Sequence, residues 1–262
     1  MRVATFNIAS GRGADGVFDL DRFAAVIAGL DADVLALQEV DRDQPRSGGA
    51  DLTAWAASAM GAVAQVFAPT LFGTPGDRWT AAGGTNRAGP AYGCALLSRV
   101  PLRDLEILRI PAAPVAVPLW APGVGRVVLR EEPRVAIVAR AELRAGAPVT
   151  VAATHLPFVP GWKHWQLARL ARELQSRPDP LLLLGDLNVQ AAATRLTGYR
   201  ALARAPTFPA ARPRLQLDHV LLRGPLDALG RVTATAAPAV TVSDHRPLLV
   251  DVDVGGAGGA AG

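Results

Sequence analysis

Polar side chains stand at the ends of five apolar runs in this chain, and that recurrence constrains the fold more than any other feature. Asn7 ends the run from Arg2, and Glu39 ends Val34-Leu35-Ala36-Leu37-Gln38. His155 ends Ala152-Ala153-Thr154, and Asp186 with Asn188 follow Leu181-Leu182-Leu183-Leu184-Gly185. Asp244 and His245 sit at the start of the last run, and a sixth group, Asp218, lies among the leucines of 215–222. A carboxylate at the end of a buried strand is costly unless it is paired or bound to a cation. The donors are hard oxygens, and a set without thiolate suits Mg²⁺ or Mn²⁺ rather than zinc.

Composition excludes several classes. The 262 residues are 50% hydrophobic and 19% charged, enough apolar material for a sizeable core. Cys94 is the one cysteine, which rules out an intramolecular disulfide framework and a Cys-rich metal site. No apolar run reaches the 18 residues of a membrane-spanning helix. The start, Met1-Arg2-Val3-Ala4-Thr5, lacks a signal-peptide core, so the cytoplasm is the expected compartment if Met1 is the true start. The net charge is +4, and Lys163 is the one lysine among 27 basic residues. No basic block marks a nucleic-acid tail, so the charge favours an anionic partner without naming it.

The chain opens as strand, helix, strand. Leu20, Phe23, Ala24, Ile27 and Leu30 predict a helix over 19–30, and a second is expected over 51–60. A third is expected over 162–176, with Leu167, Leu170, Ala171 and Leu174 as its buried stripe. Residues 73–90 read as a loop. Short strands are expected near 63–67, 91–98, 104–109, 126–130, 134–143, 148–154, 181–184, 215–222, 231–236 and 246–254. Many short strands with few helices predict one α/β unit over residues 1–254 with mostly antiparallel pairing. The Gly/Ala stretch 255–262 is expected to be a flexible tail.

The order of short motifs narrows this further. Thr5-Phe6-Asn7, Leu37-Gln38-Glu39, Leu96-Leu97-Ser98-Arg99, Thr154-His155-Leu156, Gly185-Asp186-Leu187-Asn188, Leu217-Asp218-His219 and Ser243-Asp244-His245 occur in sequence. Together they resemble the endonuclease/exonuclease/phosphatase superfamily, which includes DNase I, exonuclease III-type enzymes, inositol polyphosphate 5-phosphatases and neutral sphingomyelinases. The resemblance implies an α+β fold, a four-layer α/β/β/α sandwich of two mostly antiparallel sheets flanked by helices. It implies metal ligands at Asn7, Glu39, Asp186, Asn188 and Asp244, and a Mg²⁺ or Mn²⁺ cofactor. It implies catalytic roles for His155, Asp186, Asn188, Asp218 and His245, with Asn188 also on the substrate phosphate.

Departures and neighbours matter too. Family members of the DNase I type carry a glutamate near the position of Tyr92, so the partner that orients His155 is open between a backbone carbonyl and Tyr92. His219 adjoins Asp218 and so faces the other side of a strand, where it reads as packing. The segment 187–217 is free of acids and holds five arginines, of which Arg212 and Arg214 are candidates to grip phosphate. Trp162, beside Trp165, is a candidate aromatic wall.

The function expected is hydrolysis of a phosphodiester by in-line water attack with a divalent cation. The alternatives are a phosphomonoesterase on a sugar or inositol phosphate, or a non-catalytic binding module on the same fold. Nucleic acid fits as substrate but is not demanded, and a monomer is expected.

Overall fold

The computed structural model describes residues 1–83, 88–113, 116–121, 125–129, 131–142 and 148–253. In chain order its strands are β1 (Arg2–Asn7), β2 (Val34–Arg42), β3 (Ala64–Gly73), β4 (Trp79–Ala81), β5 (Ala91–Ser98), β6 (Leu102–Ile110), β7 (Val117–Ala121) and β8 (Gly125–Leu129). They continue as β9 (Arg134–Ala141), β10 (Val149–His155), β11 (Leu181–Asp186), β12 (Arg200–Ala201), β13 (Asp218–Arg223), β14 (Arg231–Ala236) and β15 (Leu248–Asp253). The helices are α1 (Leu20–Leu30), α2 (Leu52–Met60), α3 (Trp162–Glu173) and the short α4 (Leu226–Leu229).

Two sheets carry the structure, with orders β14-β15-β1-β2-β5-β3-β4 and β12-β13-β11-β10-β9-β6. Side chains alternate between faces along each strand, and the leucine-rich runs obey that period. Val34 and Ala36 of β2 join Leu182 and Leu184 of β11 in the core between the sheets. Leu35 and Leu37 turn outward onto Phe23 and Ile27 of α1 and Leu52 and Ala56 of α2. Leu181 and Leu183 meet Leu167, Leu170 and Leu174 on the far side. The result is the four-layer α/β/β/α sandwich. Asp19 and Asp51 cap α1 and α2 by accepting from the backbone N–H of Arg22 and Ala54.

Most neighbours run antiparallel. The two parallel pairs, β1 with β2 and β10 with β11, lie at the middle of their sheets. Parallel strands end at the same edge, so Asn7 comes beside Gln38, and His155 beside Asp186. Such carboxyl ends are where open α/β sheets place their ligands.

Three expectations shift. The 73–90 segment contains β4, which pairs with the end of β3; 84–87 lie outside the described residues. β13 begins at Asp218, not at Leu215. Leu215 instead bridges Phe208, and the Leu217 carbonyl accepts from Leu187 N–H at 3.0 Å, so these residues turn the chain into the ladder. α3 ends at Glu173 and a 3₁₀ turn covers Leu174–Ser176. The expected tail 255–262 lies outside the described residues.

Candidate active site

The ends of both sheets meet at a cleft of about 440 Å³. Its walls are Glu39, Tyr92, Glu131, Glu132, Arg134, His155, Phe158, Asp186, Asn188, Phe208, Leu217 and His245. Local backbone irregularities aim several of these. Leu37 pairs with Ala95 and Val40 with Gly93, so Gln38 and Glu39 bulge opposite the single residue Cys94. Glu39 takes a left-handed backbone, φ 57°, as does Asn188 at φ 52°. Such conformations persist only when surrounding structure enforces them.

Asp186 is the centre of the network. Its Oδ2 accepts from Asn7 Nδ2 at 3.1 Å, and the same nitrogen donates to Glu39 Oε1 at 3.0 Å. The first sheet is thereby joined to the second by one amide. Asn7 Oδ1 accepts from Ala9 N–H at 3.1 Å, which fixes the orientation of that amide. Asp186 Oδ1 accepts from the Asn188 backbone N–H at 2.9 Å. His155 Nε2 and His245 Nε2 stand 3.6 and 3.7 Å from Asp186 Oδ2.

His245 is held from behind. Its Nδ1 lies 2.8 Å from Asp218 Oδ2, and both residues are buried. Phe208 packs against the imidazole with ring centroids 4.8 Å apart. Burial alone would lower the His245 imidazolium, but the hydrogen bond and charge of Asp218, with Asp186 and Asp244, raise it to about 9. Burial and the charge of Asp218 push the Asp186 carboxyl up to about 7. Burial likewise raises the carboxyl of Glu39, against the Asn7 hydrogen bond and with the charge of Asp244.

His155 has a different environment. Arg134 Nη1 approaches its Nδ1 at 3.5 Å, and Asn188 Nδ2 lies 3.3 Å from its Nε2. Both ring nitrogens thus face N–H donors, a setting that favours the neutral imidazole over the protonated one. Burial, then the charges of Arg134 and His245, hold its imidazolium well below the usual 6.5. The group beside the first histidine is thus Arg134, whereas a backbone carbonyl and Tyr92 were the two readings from sequence.

Of the residues singled out in the sequence, Asn7, Glu39, His155, Asp186, Asn188, Asp218 and His245 come together. Asp244 is exposed at the edge, near enough for its charge to reach Glu39 and His245. Arg212 and Arg214 are exposed on the connection before β13 and do not line the cleft. Trp162 stacks on Trp165 at 4.4 Å and is not among the lining residues. His219 donates from Nε2 to the Val189 carbonyl at 2.9 Å and so braces the turn carrying Asn188. Lys163 Nζ donates to the Asn188 carbonyl at 2.7 Å. Glu131, Glu132 and Arg134 escaped notice, although Glu131-Glu132-Pro133-Arg134 is a charge cluster abutting an apolar strand, the same signature as at the other strand ends.

The profile of the Endonuclease/Exonuclease/phosphatase family matches residues 4–245. The chain belongs to this family. Its members are generally hydrolases of phosphoester bonds and commonly use divalent metals. A solved endonuclease/exonuclease/phosphatase from Beutenbergia cavernae is similar at 25% identity and TM-score 0.69, over 99% of this chain and 73% of that one. The mannosyl-6-phosphatase of Bacteroides thetaiotaomicron shares the fold at 14% identity and TM-score 0.62, over 97% and 99% of the two chains. Sphingomyelinase C from Streptomyces griseocarneus does so at 19% identity and TM-score 0.60, over 97% and 99%. No curated protein matches the chain. Among the described residues, no helix is long and apolar enough to cross a membrane.

Proposed function

We propose that the chain hydrolyses a phosphodiester with the help of a divalent cation, Mg²⁺ or Mn²⁺. The observation that carries this reading is the convergence on Asp186 Oδ2 of Asn7 and two imidazoles, one of them held by Asp218. The donor set fits a hard cation. Glu39 Oε1 and Asp186 Oδ2 both converge on one nitrogen, two carboxylate oxygens of the kind a hard cation takes. Glu39 and Asp186 would hold the ion, with Asn7, Asn188 and Asp244 beside them. When bound, it supplies positive charge to the phosphate oxygens.

The residues of the chain do the rest. Asp186, fixed by the Asn7 amide and the Asn188 backbone N–H, is placed to orient the attacking water. His245 donates from Nδ1 to Asp218, which leaves Nε2–H free for the phosphate or the leaving oxygen. Asn188 and the neutral His155 line the cleft without adding charge. The lining holds Glu39, Glu131, Glu132 and Asp186 against Arg134 and His245. That balance favours the single charge of a diester over the double charge of a monoester.

The test is hydrolysis of bis-p-nitrophenyl phosphate and p-nitrophenyl phosphate with Mg²⁺, Mn²⁺ or EDTA, using wild type and His245→Ala. Metal-dependent turnover of the diester, lost in the variant, is the expected result. Preference for the monoester overturns the diester reading. Absence of metal binding returns the chain to the binding-module alternative.

A further inference from the structure

The turn that carries Asn188 is gripped from outside the two sheets by a charged side chain that the hydrolytic reading leaves without a task. Asn188 follows β11 with a left-handed backbone, φ 52°. Its Nδ2 donates to the Leu156 carbonyl at 2.8 Å and lies 3.3 Å from His155 Nε2, so the place of this amide in the cleft depends on the course of the turn. Leu187 and Val189, on either side of it, are fully buried against Leu167 and Leu170 of α3. Helix α3 is therefore the floor on which the turn rests.

The same helix supplies Lys163, the one lysine of the chain. Its Nζ donates to the Asn188 carbonyl at 2.7 Å. On other grounds the position is a poor one for a cation. Lys163 lies in the first turn of α3, where the helix dipole disfavours positive charge. That turn holds no acidic residue, and no carboxylate pairs with Lys163 among the described residues. Lys163 is not among the residues lining the cleft, so its contact with the site runs through Asn188. From the other side His219 donates to the next carbonyl, that of Val189, at 2.9 Å. Two neighbouring carbonyls are thus held from α3 and from β13, and the bond from the ammonium is the stronger kind.

We infer that Lys163 is a positioning residue: its bond to the Asn188 carbonyl keeps the left-handed turn in place and so fixes the Asn188 amide for the reaction. This inference rests on the phosphoesterase reading above and adds a residue to its machinery. A strained backbone persists only while its surroundings enforce it, and a group displaced by about 1 Å costs about 10²-fold in rate even when the altered residue is far from the chemistry.

The experiment compares the full chain as wild type, Lys163→Met and Lys163→Arg, by amide hydrogen exchange and by turnover of bis-p-nitrophenyl phosphate and p-nitrophenyl phosphate in Mg²⁺ or Mn²⁺. In Lys163→Met the Asn188 backbone amide, which donates to Asp186, should exchange about tenfold faster or more, while amides of β1 and β15 change by about threefold or less. The kcat should fall about 10–10²-fold, with a smaller change in KM. Lys163→Arg keeps a cationic donor and should recover most of both losses. Folded wild type treated with acetic anhydride decides the matter if Lys163→Met does not fold. Lys163 Nζ attacks an anhydride carbonyl, the bond to acetate breaks, and the amine proton passes to buffer. The uncharged product should behave as Lys163→Met, whereas Lys163→Arg treated alike keeps its charge and should not. Unchanged exchange at Asn188, equal acceleration across all strands, or faster exchange with unchanged kcat each overturns the positioning role. Failure of wild type to turn over any phosphoester, with the local change in exchange present, overturns the hydrolytic reading alone.

Discussion

At the scale of single residues, the site is a set of charges that make sense only together. Asp218 keeps the His245 imidazolium to about 9, above its ordinary 6.5. A raised value in the folded state means stabilisation that is complete below pH 6.5 and lost as pH rises through 9. Asp186, raised from 3.8 to about 7, loses its share lower, between those values. In EDTA, wild type should therefore lose about 2 kcal/mol of unfolding free energy between pH 7 and 9, while His245→Asn shows a flatter profile. Urea titrations at each pH check this, and equal slopes would refute it. In the metal-loaded protein, His245→Ala should lower kcat on a diester by about 10²–10⁴-fold, the range for one positioned acid or base. Arg134 offers a separate test. Arg134→Met leaves Glu131 buried without its partner and should cost about 3–5 kcal/mol. The double variant with Glu131→Leu should recover most of that loss in urea midpoints. These residues were unequally legible. Asp186, Asn188 and His245 stood at the ends of apolar runs and could be read. Arg134 could not be assigned to His155, because the contact joins residues 21 apart through a register that periodicity does not specify.

At the scale of elements, the parallel pair β10–β11 sets the position of the chemistry. A Cβ on Gly185 would lie 2.0 Å from the Thr154 carbonyl oxygen, so this place in the ladder admits only glycine. Gly185→Ala should cost about 2 kcal/mol or more, within the range for backbone clashes. It should also depress turnover beyond what the stability loss explains, because Asp186 follows directly. Chemical denaturation and kinetics on the same preparation separate the two effects. Helix α3 behaves as an ordinary amphipathic cover. Leu170→Ala should cost about 2–5 kcal/mol and leave the metal dependence of turnover intact. The helices over 19–30 and 51–60 were readable from spacing and capping aspartates. The true start of β13 was not, since Leu215 and Leu217 look like strand residues until their carbonyl and bridge partners are known. β4 was hidden for the opposite reason, its three residues sitting in a stretch of turn formers.

At the scale of the whole molecule, the sandwich is legible as a list of strands but not as an order. Nothing in the spacing of apolar residues says that β15 lies between β14 and β1, although the motif resemblance supplied the architecture. That placement is firm in the structure. Val3 pairs with Val250, Arg2 holds Asp251 through two hydrogen bonds, and the Met1 amino group donates to the Val252 carbonyl at 2.8 Å. The first strand thus has one of its two neighbours in the last twenty described residues. During synthesis, β1 leaves the ribosome and waits with an open edge until β15, at Leu248–Asp253, has also emerged. His245 arrives just before the strand that closes that edge. A nascent chain therefore acquires its completed sheet and its second imidazole almost together, and until then it carries an unpaired strand edge open to association.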